Sequence, residues 1–150
     1  FSRLQQSKKA RSQICFTLAG IVILISPEQF EKAVKWNIRA IEICGMLGIP
    51  NMVVHSGWDK NATKEEWFER NKYFFEQLFD AMEKNNVNVL HENTTNANMP
   101  WYYPKKGSDM VEFSKYVNHP MFHSCWDTGH ANIEGNQYDD ILTIDAPFPK

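Results

Sequence analysis

The sequence predicts an α/β protein: a partial (β/α)8 barrel of about four β/α units, with a parallel sheet and helices on one outer face. Helical and extended patterns alternate along the 150 residues, and each apolar extended stretch follows its helix after a tight turn. Three successive stretches close on a polar residue at a regular interval, 37 positions from His55 to Glu92 and 35 from Glu92 to Asp127. Alternation with short returns implies a parallel sheet covered by helices. The interval is about one unit of an eightfold barrel, whose full length is ~250 residues. Four units use up the chain, so residues 1–150 read as a single domain, an incomplete barrel fragment. A small complete open sheet of the flavodoxin kind is the alternative.

The elements follow in order. Arg3, Lys8, Lys9 and Arg11 precede an apolar run over 14–25 and imitate a signal peptide. The run contains Thr17 and Gly20 and passes into Ser26-Pro27 rather than a small-residue cleavage site, so it reads as part of the fold, with a strand over 14–18. It is too short to span a bilayer. Ser26, Pro27 and Gln29 are an N-cap, a first-turn proline and a capping-box residue, and Phe30, Val34, Ile38, Ile41 and Cys44 recur at helical spacing to about Leu47. Gly48 ends that helix in the left-handed conformation. Residues 50–55 form a buried strand closing on His55-Ser56-Gly57. Thr63 and Glu66 make a second capping box, and Trp67, Phe74, Phe75, Leu78 and Met82 carry one helix to Asn85-Asn86. Residues 87–92 are the next strand. After a loop rich in Asn and aromatics, Ser108 caps a helix bearing Val111, Lys115 and Tyr116, which ends at His119-Pro120. Residues 122–127 are the last strand, with Asp127-Thr-Gly-His130 as its tip.

With 43% hydrophobic and 23% charged residues, the composition excludes disorder, collagen and coiled coil. Sixteen basic against eighteen acidic residues give a formal charge of -2, so neither nucleic acid nor a membrane surface is expected as a partner. Three cysteines without CxxC spacing suggest neither a disulfide framework nor a thiolate zinc site, and point to a reducing, cytoplasmic setting.

Functional groups gather at the carboxyl ends of strands in such folds, where His55, Glu92 and Asp127 stand. Alternation puts Glu92, Leu90 and Asn88 on one face and His91, Val89 and Val87 on the other; Asp127, Cys125 and His123 share a face by the same count. Strands ~4.8 Å apart bring carboxylates on two tips close enough to hold one divalent cation. His123 lies about 13 Å below Asp127 at ~3.3 Å per residue and reads as a satisfied core histidine. His91 has the wrong parity and His119 sits at an X-Pro turn, so both read as structural. His130, beyond Gly129, can turn back over the strand mouth.

The strings Val54-His-Ser-Gly57, Val89-Leu-His-Glu-Asn93 and Trp126-Asp-Thr-Gly-His-Ala-Asn132, one unit apart, resemble the xylose isomerase-like TIM-barrel superfamily of sugar phosphate isomerases and epimerases, over about 26–142. The resemblance implies that Glu92 is both a metal ligand and an acid/base, that Asp127 is a second ligand, and that His130 contacts substrate oxygens. His55 corresponds to a pocket residue in many isomerases and to a zinc ligand in the endonuclease IV branch. The implied cofactor is a divalent metal (Mn, Mg, Co or Zn), and the implied substrate a small-molecule sugar or sugar phosphate. Family members complete the metal shell with a His and a second Glu from later strands, so the isolated chain is expected to be inactive. Trp101, in Trp101-Tyr102-Tyr103, and Trp58 are candidates to wall the pocket, with loop packing as the alternative. The implied chemistry is proton transfer next to a carbonyl. An endonuclease IV-like zinc phosphodiesterase on the same barrel and a non-catalytic fragment or binding module are the rival readings. The identity of the sugar and homo-oligomerisation are left open.

Overall fold

The computed structural model describes residues 26–57, 61–95 and 103–135, together with the backbone of 14–17. Four strands, β1 (Ile14–Thr17), β2 (Asn51–Val54), β3 (Asn88–Glu92) and β4 (Phe122–Cys125), form one all-parallel sheet in the order β1-β2-β3-β4. The long helix α1 (Pro27–Leu47) joins β1 to β2, and the shorter α2 (Lys64–Glu76) and α3 (Phe79–Asn85) join β2 to β3. Helix α4 (Gly107–Val117) leads into β4, and α5 (Thr128–Glu134), the last helix among the described residues, follows it. Sequential neighbours in sequential order, with helices as crossovers, are the arrangement of a barrel segment.

Local chemistry accounts for the boundaries. Ser26 Oγ accepts the Gln29 N–H at 3.2 Å to start α1. Gly48, at φ 68°, stops it, with its N–H on the Gly45 carbonyl. The Thr63/Glu66 capping box opens α2, with both reciprocal bonds formed. Three expectations are corrected. The helix expected from Thr63 to Asn85 is broken at Gln77-Leu78, where both N–H groups bond three residues back, to Phe74 and Phe75. The tighter turn rotates the apolar stripe so that Phe74, Phe75, Leu78 and Met82 are all fully buried. Ser108 does not cap α4; the N-cap is Lys106, two residues earlier than the sequence suggested, and its N–H is taken by Asp109 Oδ2 at 3.2 Å. The last strand stops at Cys125 rather than 127, because Asp127 turns outward to cap α5.

Alternation along the strands divides the sheet. Met52, Val54, Val89 and Phe122 face the helices and pack with Ile41 and Cys44 of α1, Phe74 and Phe75 of α2, Met82 of α3, and Phe113 and Val117 of α4. All four of these helices share that face, as in a barrel wall and unlike a doubly wound open sheet. None of the described helices is long and apolar enough to cross a membrane.

His91 belongs to this core. It is fully buried, stacks on Phe122 with ring planes 6° apart, meets Phe113 edge-on at 5.2 Å, and shares hydrogen bonds with the hydroxyls of Ser114 (2.9 Å) and Ser124 (3.0 Å). His119 is structural too: Nδ1 accepts the Met121 N–H, Nε2 donates to Glu83, and the ring stacks on Phe79 at 3.9 Å. His123 departs from the expected core role. It is half-buried on the opposite face, paired in register with Leu90, because β4 is an edge of the described sheet.

Burial pushes the His91 imidazole down from 6.5 to about 3, so the folded protein holds it neutral while the unfolded chain protonates it below about pH 6.5. That contribution to stability is complete above the unfolded value and is lost as pH falls toward the folded one. Chemical denaturation should therefore show the advantage of the parent over His91→Gln shrinking by about 3 kcal/mol from about pH 7 to pH 4. Parallel stability profiles for the two proteins would contradict this.

Candidate metal and carboxylate site

The face away from the helices carries Asn51, Asn88, Leu90 and His123 and ends at the strand tips in His55, Glu92 and Cys125. Lower on this face, Asn88 Nδ2 donates to Asn51 Oδ1 at 2.9 Å, so these two amides pair across β2 and β3. At the mouth, the turn after β2 is fixed from below: the Gly57 N–H donates to Asn71 Oδ1 at 2.7 Å, and its carbonyl accepts Trp67 Nε1–H, also at 2.7 Å. Both of those side chains are buried in α2. This tie holds the half-buried His55 beside the third strand, with Nε2 3.2 Å from Glu92 Oε2.

Glu92 is the buried acid of the group, its side chain 6% exposed. Burial, then the hydrogen bond and negative charge of Asp127, push its carboxyl up from 4.5 to about 7, with His130 partly offsetting them. Asp127 is displaced the other way. Burial alone would raise it, but its hydrogen bond from the His130 N–H at 2.7 Å, the nearby imidazole, and bonds from Glu92 and the Gly129 backbone hold it below 3.8. Burial, followed by repulsion from His130, lowers His55. Cys125, beside Glu92 in register, is raised by burial and by the two carboxylates to about 11, so it remains a thiol.

His130 comes to the same mouth by a route different from the expected turn: it lies in the first turn of α5. Its Nδ1 is 4.0 Å from Glu92 Oε1 and 3.9 Å from Asp127 Oδ1. One ligand atom each from Glu92, Asp127 and His130 falls within 4.8 Å of the others, the spacing that a single cation with metal–oxygen distances of about 2.0 to 2.6 Å can span. Two carboxylates at that separation, one of them raised by burial and then by its neighbour, are the donor chemistry a divalent cation compensates, so the residues present fit the group. Trp101 and Trp58 lie outside the described residues.

Asn93, which closes the Val89-Leu-His-Glu-Asn93 string but was assigned no role from the sequence, proves central. It is fully buried; its side-chain Oδ1 accepts the Asp127 N–H at 2.6 Å, its Nδ2 donates to the Asp127 carbonyl at 3.0 Å, and its own carbonyl lies 2.9 Å from His130 Nδ1. The signal available was an amide directly after a strand-terminal acid, a residue type able to mimic one more rung of the ladder.

Comparison with known proteins bears on this geometry. The xylose isomerase-like TIM barrel family matches residues 5–147, and the chain belongs to it. The match reaches further in both directions than the 26–142 expected. A curated relative from Nitrosopumilus maritimus, named probable endonuclease 4, is 30% identical over 141 residues, covering 89% of this chain and 48% of the relative. The chain thus spans about half the length of the curated relatives it matches. Among solved structures, a D-tagatose 3-epimerase-like protein superposes with a TM-score of 0.71 at 16% identity, over 95% of this chain and 55% of that one. An AP endonuclease of family 2 from Brucella melitensis gives 0.68 at 20%, over 88% and 54%. These likenesses establish the fold as a partial TIM barrel. The endonuclease names also remove support from the expectation, drawn from charge balance, that nucleic acid is not a partner.

The raised Glu92 carboxyl has a measurable sign. Its contribution to stability is present below the ordinary 4.5 and is lost as pH rises through about 7, where the buried carboxylate ionises beside Asp127. In chelator-containing buffer, Glu92→Gln should therefore gain stability relative to the parent between about pH 4.5 and pH 8 in urea denaturation. A difference that stays constant across that range would contradict the coupling.

Proposed function

Starting from membership of this family, we propose that the whole protein is a metal-dependent sugar or sugar-phosphate isomerase or epimerase, working by carboxylate-mediated proton transfer next to a carbonyl. The observation that carries this is the convergence of a buried, proton-avid Glu92 with Asp127 and His130 at one strand mouth. Epimerases among the solved structures of the same fold support it, including a D-psicose 3-epimerase described with D-tagatose.

Glu92 and Asp127 would hold the divalent cation, Mn, Mg, Co or Zn. When bound, it supplies charge compensation for the pair and polarises adjacent hydroxyl and carbonyl oxygens. Glu92 would take the proton from the carbon next to the carbonyl, and a second Glu on the opposite face, which the family resemblance places on a later strand, would return one to complete the exchange. His55, against the other Glu92 oxygen, orients that carboxylate and lines the pocket. His130 takes a hydrogen bond from a substrate hydroxyl. Trp101 is proposed as a wall against the sugar face.

A second reading is favoured by the endonuclease 4 names of the curated relatives, both 30% identical. In it the same carboxylates, with His55 as a nitrogen ligand, hold zinc for phosphodiester hydrolysis.

The test is exchange of a carbon-bound substrate proton with solvent deuterium, run on a panel of ketoses and their phosphates with added Mn²⁺, Mg²⁺ or Co²⁺, in a protein that carries the complete barrel. Glu92→Gln should lower exchange by at least ~10²-fold, the usual worth of a positioned base, with substrate binding less affected. His91→Gln should leave exchange intact and cost stability. Nicking of duplex DNA with added Zn²⁺, lost in Glu92→Gln, together with absence of exchange on every sugar, would replace the first reading by the second.

A further inference from the structure

We propose that Asn93 is a positioning residue that locks His130 into the Nδ1–H tautomer and so presents Nε2 as a bare acceptor at the site. The regular β3–β4 ladder ends with the Glu92 and Cys125 pair. One residue beyond it, the Asn93 side chain supplies both a donor and an acceptor to the backbone of Asp127, at 3.0 and 2.6 Å, as a further peptide group would. The Asp127 that it clamps is the N-cap of α5: the Asp127 carbonyl takes the Ala131 N–H, and its Oδ1 takes the His130 N–H. The first turn of α5 is therefore fixed relative to β3 through one buried amide.

The consequence falls on the imidazole. His130 Nδ1 lies 2.9 Å from the Asn93 carbonyl oxygen, which can only accept, so Nδ1 carries the hydrogen and donates. In the neutral ring the remaining lone pair is then on Nε2. The nearer ring nitrogen is committed to the backbone despite its distances of 3.9 and 4.0 Å from the two carboxylates. It is therefore Nε2 that His130 offers to a ligand. The sugar reading enters only in naming that ligand as a substrate hydroxyl; the tautomer stands on the geometry alone.

The test is ¹⁵N NMR of the histidine-labelled chain at about pH 8.5, with His130 assigned by its loss in His130→Gln. The parent should show His130 as a single Nδ1–H species. Asn93→Ala keeps the backbone carbonyl but releases the clamp, and should populate the Nε2–H form; Asn93→Asp, which keeps the acceptor and loses the donor, should fall between the two. In the complete barrel, Asn93→Ala should also reduce turnover by about 10- to 100-fold, the range typical of residues that orient a functional group. A parent spectrum with His130 as Nε2–H or as a mixture would overturn the proposal, and so would an unchanged Nδ1–H species in a folded Asn93→Ala protein. If Asn93→Ala does not fold, the parent and Asn93→Asp spectra decide. Absence of any sugar turnover alongside the expected spectra would remove the isomerase reading and leave the positioning role standing.

Discussion

The two-residue period of β3 is the constraint on which this site rests. His91 and Glu92 are adjacent, yet one lies stacked on Phe122 with Phe113 edge-on to it under the helices while the other closes the opposite face beside His55. A slip of one residue would drive a carboxylate into the aromatic core and turn the imidazole out to the mouth. The first error is the costly one, because a buried charge without a partner is among the least tolerable groups in a protein interior. The register with β2 and β4 is therefore held as much by what must not be buried as by the apolar contacts of Val89 and Val54.

From that register the chemistry follows by adjacency. Parallel neighbours carry their carboxyl ends to the same level, so the tips of β2, β3 and β4 meet without a long loop having to find its way back. The early end of β4 matters here. Because the strand stops at Cys125, Asp127 can cap α5 and still reach Glu92, and the first turn of the helix carries His130 to the same place. One carboxylate serves the fold and the site at once, which accounts for the opposite displacements of the two acids: Asp127 is held ionised by donors, while Glu92 is left with burial and a like charge.

Much of this was legible beforehand. Strand parity is strict, so the faces of Glu92, His91, Leu90 and His123 could be assigned from the sequence, and an N-cap at Ser26 and a capping box at Thr63 announced their helices through chemistry that is local. What was hidden depends on tertiary contact. The break at Gln77-Leu78 carries neither Gly nor Pro and arises from the need to bury Leu78 and Met82 together. The helical start at Thr128 was obscured because Asp127 reads equally well as a strand-tip ligand and as an N-cap, and it is an N-cap positioned like a ligand. Asn93 is invisible as a clamp until Asp127, 34 positions later, is brought beside it.

The central claim is that the mouth of the sheet is a single cation site built on Glu92 and Asp127. Anomalous diffraction from crystals of the complete barrel grown with Mn²⁺ tests it most directly. The account predicts one strong peak within bonding distance, about 2.0 to 2.6 Å, of a carboxylate oxygen from each of the two residues. Manganese bound elsewhere, with Glu92 still hydrogen-bonded to Asp127, would contradict it.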